Sequence, residues 1–236
     1  MKIWYNTIKP FLKNLGIHKP LHYLKKKKEI IKLKNKSREK IFLDIYKSNE
    51  WKGKESVSGQ GSDLEETSIL LKKLPSFLKQ YGIRTIIDLP CGDFNWMQHL
   101  EYSFDQYTGI DIVGDIIDQN NIKFAAENRI FIKKDCLQDD IGSADLLLCR
   151  DLLIHFSSED VFDFFKNIST MNIRYILTTH FFEEKNTDIA TGQWRPINLQ
   201  AAPYNFPDPI DVIIEETKMF EGRYAKTKTC LLYTSD

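Results

Sequence analysis

Several features that mark specialised classes of protein are missing from this sequence. No apolar stretch approaches the roughly 18 to 20 residues that a membrane-spanning helix needs. The basic amino terminus is not followed by the apolar segment and small-residue cleavage site of a signal peptide. Only four cysteines occur in 236 residues, and no two of them form a C-x-x-C pair. We therefore expect a reduced, cytoplasmic setting, with a membrane-peripheral location as the alternative.

Nucleotide and metal signatures are scarce as well. The chain has 11 glycines but no G-x-G-x-x-G sequence, which argues against a dinucleotide dehydrogenase. Its five histidines and four cysteines are scattered, and no spacing among them demands a metal ion. Hydrophobic residues nevertheless make up 42% of the chain, enough for one substantial core. The sequence thus predicts a globular protein in which we expect no metal.

The charge of the chain is balanced overall but unevenly distributed. Lys and Arg together number 33, as do Asp and Glu, so the formal net charge is zero. Residues 1–40 nevertheless hold twelve lysines and one arginine against two glutamates, a net charge of +11 that the rest of the chain offsets. Because apolar side chains recur there at helical spacing, we predict a basic helical appendage over residues 1–50.

Three roles are open for this appendage. It packs on the main domain, it contacts anionic lipid or a polyanionic substrate, or it forms an oligomer contact. A protein that binds nucleic acid or another polyanion is the alternative function that the lysines suggest. Aromatic residues for base stacking are missing between Tyr23 and Phe42, which disfavours nucleic acid.

Strands and helices alternate after Arg84, in a domain predicted to cover residues 51–236. Apolar runs of strand length are separated by helical stretches, most clearly at 157–168, where a serine can cap the helix. This alternation predicts an α/β, Rossmann-like fold with a doubly wound, mostly parallel sheet and an antiparallel last strand. The seven predicted strands cover 85–89, 106–112, 130–136, 144–153, 174–181, 210–217 and 227–234.

The linker into this domain, S-V-S-G-Q-G-S-D-L-E-E-T at 56–67, contains two glycines that allow its backbone to close over a ligand. The alternative is a plain linker. Ser62 and Glu65 are spaced as a capping box, which predicts a helix from there to about Leu78.

The first four predicted strands lead into charged residues, namely Asp88, Asp111, Asp135 and the pair Arg150 and Asp151. In a doubly wound sheet, ligands bind outside the carboxyl ends of the strands. Carboxylates at the first two ends suit a ribose diol, since a carboxylate can accept from both hydroxyls. The turn D-L-P-C-G-D-F, with one glycine and two acids, repels polyphosphate instead. A cofactor with a ribose, an adenine and a positive centre fits, and S-adenosylmethionine has these properties.

Five motifs in order resemble the class I S-adenosylmethionine-dependent methyltransferases, and especially a bacterial branch whose first motif reads D-x-P-C-G-D-F-x-W. Together they extend from about residue 51 to the end, and any one alone would be weak. Pro90 departs from the wider superfamily, which has more glycines there, but not from the branch. The motifs are ESVSGQGSDLEET (55–67), DLPCGDFNW (88–96), YTGIDIV (107–113), LCRDLLIHFS (148–157) and DIATGQWRPINL (188–199).

The resemblance implies S-adenosylmethionine as the cofactor. Asp111 would hold the ribose hydroxyls, Asp135 would lie near the adenine amino group, and Gly92 would let the backbone approach the amino-acid portion. The alternative for either aspartate is a helix cap or a surface turn. The predicted cofactor-binding set is Asp88, Pro90, Cys91, Gly92, Asp93, Asp111, Ile112, Asp135, Cys136 and Arg150.

Methyl transfer to a hydroxyl requires a group that removes a proton. Asp151 and His155 are four residues apart, so on a helical turn they would share a face, with His155 as the base and Asp151 orienting it. His180 is the second candidate. The alternative is that Asp151 caps a helix and His155 is a packing residue.

The long, polar segment 186–210 is predicted to bind the methyl acceptor through Trp194, Arg195 and Asn198. The alternative is a loop that merely covers the sheet. We expect O-methylation of a carbohydrate-type or small polar acceptor, and the basic appendage would suit an anionic one. The resemblance connects the branch to bacterial surface polysaccharide synthesis. N-methylation of a small molecule and a catalytically silent methyltransferase-like subunit are the alternatives.

Overall fold

The computed structural model describes residues 30–182, 185–217 and 228–234. Residues 1–29 of the predicted helical appendage, and the short link around Gly222 between the last two predicted strands, lie outside the described residues. The chain divides into two compact units, residues 1–37 and 38–236. In the first unit, residues 30–34 are helical. The second unit contains the sheet and starts at Arg38, ahead of the boundary at residue 51 that the sequence pattern suggests.

The second unit is built on a seven-stranded sheet with strand order β3-β2-β1-β4-β5-β7-β6. Strands β1 to β5 are parallel to their neighbours, and β7 is antiparallel to both β5 and β6. The predicted fold class, a mostly parallel Rossmann-like sheet with an antiparallel last strand, is confirmed. The strands are β1 (Thr85–Asp88), β2 (Gln106–Asp111), β3 (Arg129–Lys133), β4 (Ala144–Cys149), β5 (Ile173–Phe181), β6 (Asp211–Ile214) and β7 (Lys228–Thr234).

Four helices accompany the sheet: α1 (Arg38–Ser48), α2 (Leu64–Gln80), α3 (Gly114–Phe124) and α4 (Ser158–Ile168). Helix α1 belongs to this unit because its Ile41, Phe42 and Ile45 are buried. Helix α2 contributes four side chains to a core cluster that it shares with the central strands, where consecutive apolar residues are buried on both faces. Within the described residues, no helix combines the length and apolar composition that crossing a bilayer requires.

The two predicted helix starts have different outcomes. The Oγ of Ser157 accepts from the backbone N–H of Asp160 at 3.1 Å, which confirms the serine cap of α4. The capping box at Ser62 is wrong, because α2 begins at Leu64, two residues later. The N–H of Leu64 instead donates to the carboxylate of Glu55 at 2.8 Å. A side chain from the preceding loop therefore satisfies this helix end.

The turn after β1 requires glycine at position 92. Gly92 has a φ of +52°, in the left-handed region, and a Cβ there would lie 2.1 Å from Oγ of Ser58. The carbonyl of Gly92 also accepts from Asn120 of α3 at 2.7 Å. The turn is thus closely packed between the 51–62 loop and α3.

We expect Gly92→Ala to destabilise the protein more than Gly82→Ala, by at least about 1 kcal/mol. Both glycines have left-handed φ angles, so alanine is strained by about 1 to 2 kcal/mol at either position. Only at position 92 does the added Cβ also meet a neighbouring side chain, since the space at Gly82 is open. Urea unfolding of the two variants measures the difference, and equal losses would contradict the packing described here.

Candidate active site

A cavity of about 360 Å³ opens at the carboxyl ends of the parallel strands. Its walls also include α1 and the 51–62 loop, which precede the sheet in the chain. The volume lies within the range of small-molecule sites. Of the side chains predicted to form the site, the cavity brings together Asp88, Pro90, Cys91, Gly92, Asp111, Ile112, Asp135, Cys136, Arg150, Asp151, His155 and Trp194.

Two buried carboxylates meet the cavity at the ends of β1 and β2. Asp88 accepts from the hydroxyl of Tyr107 at 2.6 Å, and burial raises its pKa to about 7. Asp111 accepts from the N–H groups of Gly92 at 3.2 Å and Val113 at 2.9 Å. Burial raises the pKa of Asp111 to about 6 in spite of these donors. Neither carboxylate forms an ion pair with a described residue, so both are available to a cationic ligand.

Asp135 is held by α1 at the end of β3. Its carboxylate accepts from Nη2 of Arg38 at 2.8 Å, and Nε of the same guanidinium lies 3.2 Å from Oδ2. Arg38 also lies 3.8 Å from the carboxylate of Asp160 at the start of α4. The side chain that the sequence predicts near an adenine ring is therefore already in an ion pair with a residue that also lines the cavity.

The glycine-containing loop at 51–62 forms one wall of the cavity. Asp93 anchors it, since its carboxylate accepts from the hydroxyl of Ser56 at 2.7 Å and from the N–H of Val57 at 2.9 Å. Nη1 of Arg150 fastens the other end by donating to the carbonyl of Gly61 at 2.9 Å. Asp93 thus contacts the loop and does not line the cavity, although the sequence predicts it near the cofactor.

Four charged side chains, three of them buried and Asp151 partly exposed, lie at the ends of β4, β6 and β7, and we call them the charge quartet: Arg150, Asp151, Glu215 and Lys228. Arg150 pairs with Glu215 at 2.8 Å and with Asp151 at 3.1 Å. Lys228 pairs with Asp151 at 2.7 Å and with Glu215 at 3.5 Å. Two positive and two negative charges balance, which makes their burial tolerable.

His155 enters the cavity from a short 3-10 turn, Leu153–His155. Its Nδ1 lies 3.1 Å from the carbonyl oxygen of Gln193. A carbonyl only accepts, so Nδ1 carries the proton and Nε2 keeps a lone pair. The ring stacks on Trp51 with centroids 4.5 Å apart, and burial lowers its pKa to about 4. His155 is therefore a neutral, oriented imidazole, and its partner is Gln193 rather than Asp151.

Known structures share this architecture. No protein-family model and no curated protein sequence matches the chain. Magnesium protoporphyrin IX methyltransferase (ChlM) from Synechocystis PCC 6803, solved with bound S-adenosylmethionine, is similar at a TM-score of 0.57 and 12% identity, over 84% of this chain and 96% of that one. The methyltransferase domain of bacterial CtHen1 is similar at a TM-score of 0.52 and 15% identity, over 72% and 99%.

A third known structure has a similar fold. An S-adenosylmethionine-dependent methyltransferase from Clostridium acetobutylicum ATCC 824 has a TM-score of 0.50 and 13% identity, over 73% of this chain and 92% of that one. The chain has the fold of the S-adenosylmethionine-dependent methyltransferases. At identities this low, the similarity shows the fold alone, and the reaction has to be argued from the site.

Three further predicted site residues do not line this cavity. His180 is fully buried in β5, where its Nδ1 accepts from the N–H of Leu199 at 3.3 Å. Arg195 is 3% exposed, and its terminal nitrogens donate to the carbonyl of Leu153 and the hydroxyl of Tyr204. Asn198 accepts from backbone N–H groups of its own loop. These side chains hold the 186–210 segment in place.

Several lining residues escape the sequence reasoning, chiefly Arg38, Trp51, Trp96 and Lys228. Lys228 is the first residue of the antiparallel strand β7 and pairs with Phe181 at the end of β5. Its position could have been found, because the amino end of an antiparallel strand lies at the same edge as the carboxyl ends of its parallel neighbours. The contact that orients His155 is made by a backbone carbonyl, that of Gln193, so the side-chain pattern does not predict it.

We expect the imidazole of His155 to stay neutral, with the proton on Nδ1, from pH 8 down to about pH 5, because its pKa is about 4. Nitrogen chemical shifts of the folded protein, assigned with His155→Gln, measure both the charge and the tautomer. In urea the same ring should titrate near the ordinary value of about 6.5. Folding therefore loses stability as the pH falls from about 6.5 towards 4. A ring that is charged at pH 6 in the folded state would contradict this geometry.

Proposed function

We propose that this protein is an S-adenosylmethionine-dependent methyltransferase that methylates a hydroxyl group of a carbohydrate-type or small polar acceptor. The observation that carries the proposal is the pair of buried carboxylates, Asp88 and Asp111, which face the cavity without an ion-pair partner among the described residues. A cofactor that carries both positive charge and a ribose diol fits that pair. A polyphosphate does not fit it.

The residues present fit this cofactor in several respects. Backbone N–H groups donate to both oxygens of Asp111, and because a carboxylate has about four lone-pair sites it can still accept from a ribose hydroxyl. Asp88 lies at the adjoining strand end and supplies negative charge for the ammonium or the sulfonium. The carboxylate of Asp135 is already paired with Arg38. An adenine amino group can donate only to the lone pairs of that carboxylate that Arg38 does not use.

When bound, the cofactor supplies an electrophilic methyl group that is transferred in line to the acceptor. The protein has to hold the acceptor hydroxyl in that line and remove its proton. His155 suits this task, since it lines the cavity, is neutral, and keeps a lone pair on Nε2. Trp51 stacks against the ring and limits its rotation, and aromatic side chains of the wall exclude water.

We expect Asp111→Asn to weaken the binding of S-adenosylhomocysteine by about tenfold or more, because a charged hydrogen-bond acceptor is lost. The matched control is Asp145→Asn. Asp145 also accepts two backbone N–H groups, from Arg84 and Thr85, but it does so at the opposite edge of the sheet. Calorimetric titration of the two folded variants should show the loss in Asp111→Asn alone. Wild-type affinity in Asp111→Asn would remove the basis of the proposal.

The affinity for S-adenosylmethionine should rise as the pH increases from 5 to 7.5. Asp111 and Asp88 ionise across this interval, with pKa values of about 6 and about 7, and only the ionised forms attract a cation. The α-amino group of the ligand stays charged below about pH 7.7. Calorimetry at several pH values measures the trend, which should be weaker for S-adenosylhomocysteine because it lacks the sulfonium charge. An affinity that is flat or falls with pH would count against these two carboxylates.

A further inference from the structure

Three members of the charge quartet line the cavity, and Asp151 is the most exposed of them. The side chains of Arg150, Lys228 and Glu215 are 4%, 5% and 1% exposed, whereas that of Asp151 is 22% exposed. Asp151 lines the cavity and is surrounded by protein, so its remaining surface opens inwards. Among these charged groups, Asp151 therefore offers the largest exposed surface to a ligand at this end of the cavity.

The two oxygens of Asp151 are not equivalent. Both cations contact Oδ2, with Lys228 at 2.7 Å and Arg150 at 3.1 Å. Oδ1 accepts from a neutral donor, the hydroxyl of Thr179, at 3.2 Å. A carboxylate oxygen accepts more than one hydrogen bond, so Oδ1 keeps capacity for a donor from a ligand.

The carboxylate is also held in the ionised form. Burial alone would raise its pKa, but the positive charges of Lys228 and Arg150 outweigh burial and keep the pKa well below its usual value. A group that gives up its proton so readily is a poor general base. Asp151 is therefore suited to accepting hydrogen bonds and not to removing protons.

The backbone fixes this carboxylate in position. Asp151 has a φ of +58°, a left-handed conformation that few non-glycine residues adopt, and its N–H donates to Oγ1 of Thr179 at 2.9 Å. Such outliers persist where the surroundings impose them, and they are frequent at functional sites. The same threonine thus contacts both the backbone and the side chain of Asp151.

The cavity that Asp151 lines also has an apolar surface. The indole of Trp194 lines the cavity, is 37% exposed and meets Phe181 edge to face with centroids 6.2 Å apart. Phe181 is the strand neighbour of Lys228, which contacts Asp151. A carboxylate and a flat indole in the same cavity suit a ring that has hydroxyl groups at its edge and C–H groups on its face.

We propose that Asp151 binds hydroxyl groups of the acceptor through Oδ1, that the indole of Trp194 in the same cavity packs on the face of the acceptor, and that the site so selects a polyhydroxylated ring. This inference rests on the proposed methyltransferase function, and it gives Asp151 a role in specificity that is separate from the proton removal assigned to His155. A cationic amine suits the position less well, since the charge of Asp151 is already balanced by two cations within 3.1 Å of its Oδ2.

The test compares two variants that remove the same charge from the quartet. Asp151→Asn removes the carboxylate that faces the cavity and keeps a residue that tolerates a left-handed φ. Glu215→Gln removes the buried carboxylate, which is 1% exposed. The full chain, saturated with S-adenosylhomocysteine, is titrated with methyl β-D-glucopyranoside and with ethanolamine, and binding is followed by saturation-transfer NMR.

We expect the glucoside to bind the wild type. In Asp151→Asn its affinity should fall by about tenfold or more, which is the loss that removing one charged hydrogen bond produces. Glu215→Gln should retain most of the affinity, and both variants should still bind S-adenosylhomocysteine. No glucoside binding to the wild type, equal losses in the two variants, or selective binding of ethanolamine would each overturn the inference. Failure of the wild type to bind S-adenosylhomocysteine would count instead against the proposed function.

If Glu215→Gln does not fold, Trp194→Ala provides the second variant. It removes the apolar face without changing the charge of the quartet, and we expect the affinity for the glucoside to fall by a comparable factor. An unchanged glucoside affinity in Trp194→Ala would also contradict the proposed arrangement.

Discussion

The rest of the site depends on the contacts that the buried guanidinium of Arg150 makes. It donates to Gly61 in the 51–62 loop, pairs with Glu215 beyond β6, and lies over the ring of Trp96. One side chain at the end of β4 therefore connects the loop before the sheet, the turn after β1 and the far edge of the sheet. Because a guanidinium has five donors in a rigid plane, these elements can be held at fixed distances from one another.

The sequence predicts the central part of this arrangement because parallel strands impose a simple rule. Their carboxyl ends meet at one edge, so Asp88, Asp111 and Asp151 can be placed together from strand boundaries alone. Here the rule covers only the carboxyl ends of the first four strands. It therefore misses Glu215, which follows β6, and Lys228, which begins the antiparallel β7. Including the direction of each strand would have found both.

Strand boundaries and strand directions do not predict the contacts that the loops make. Arg195 has the chemistry of a ligand-binding residue, yet it clamps the 186–210 segment against Leu153. Asp93 stands in the first motif, yet its carboxylate holds the 51–62 loop. A carboxylate or guanidinium forms the same hydrogen bonds with a ligand as with a backbone group, so residue type cannot distinguish the two uses. The distinction depends on which loop folds over which, and that is a tertiary property.

Pairing with cations distinguishes the carboxylates whose charge the protein already balances from those that can still balance a cationic ligand. Asp135, Asp151 and Glu215 each have a cation within 2.8 Å, so their charges are balanced by the protein itself. Asp88 and Asp111 have no such partner among the described residues, and burial raises the pKa of both. Burying an unpaired carboxylate costs on the order of several kcal/mol. A protein that keeps two of them side by side in a cavity is more stable when a cation binds there, which is the property expected of a site for a sulfonium cofactor.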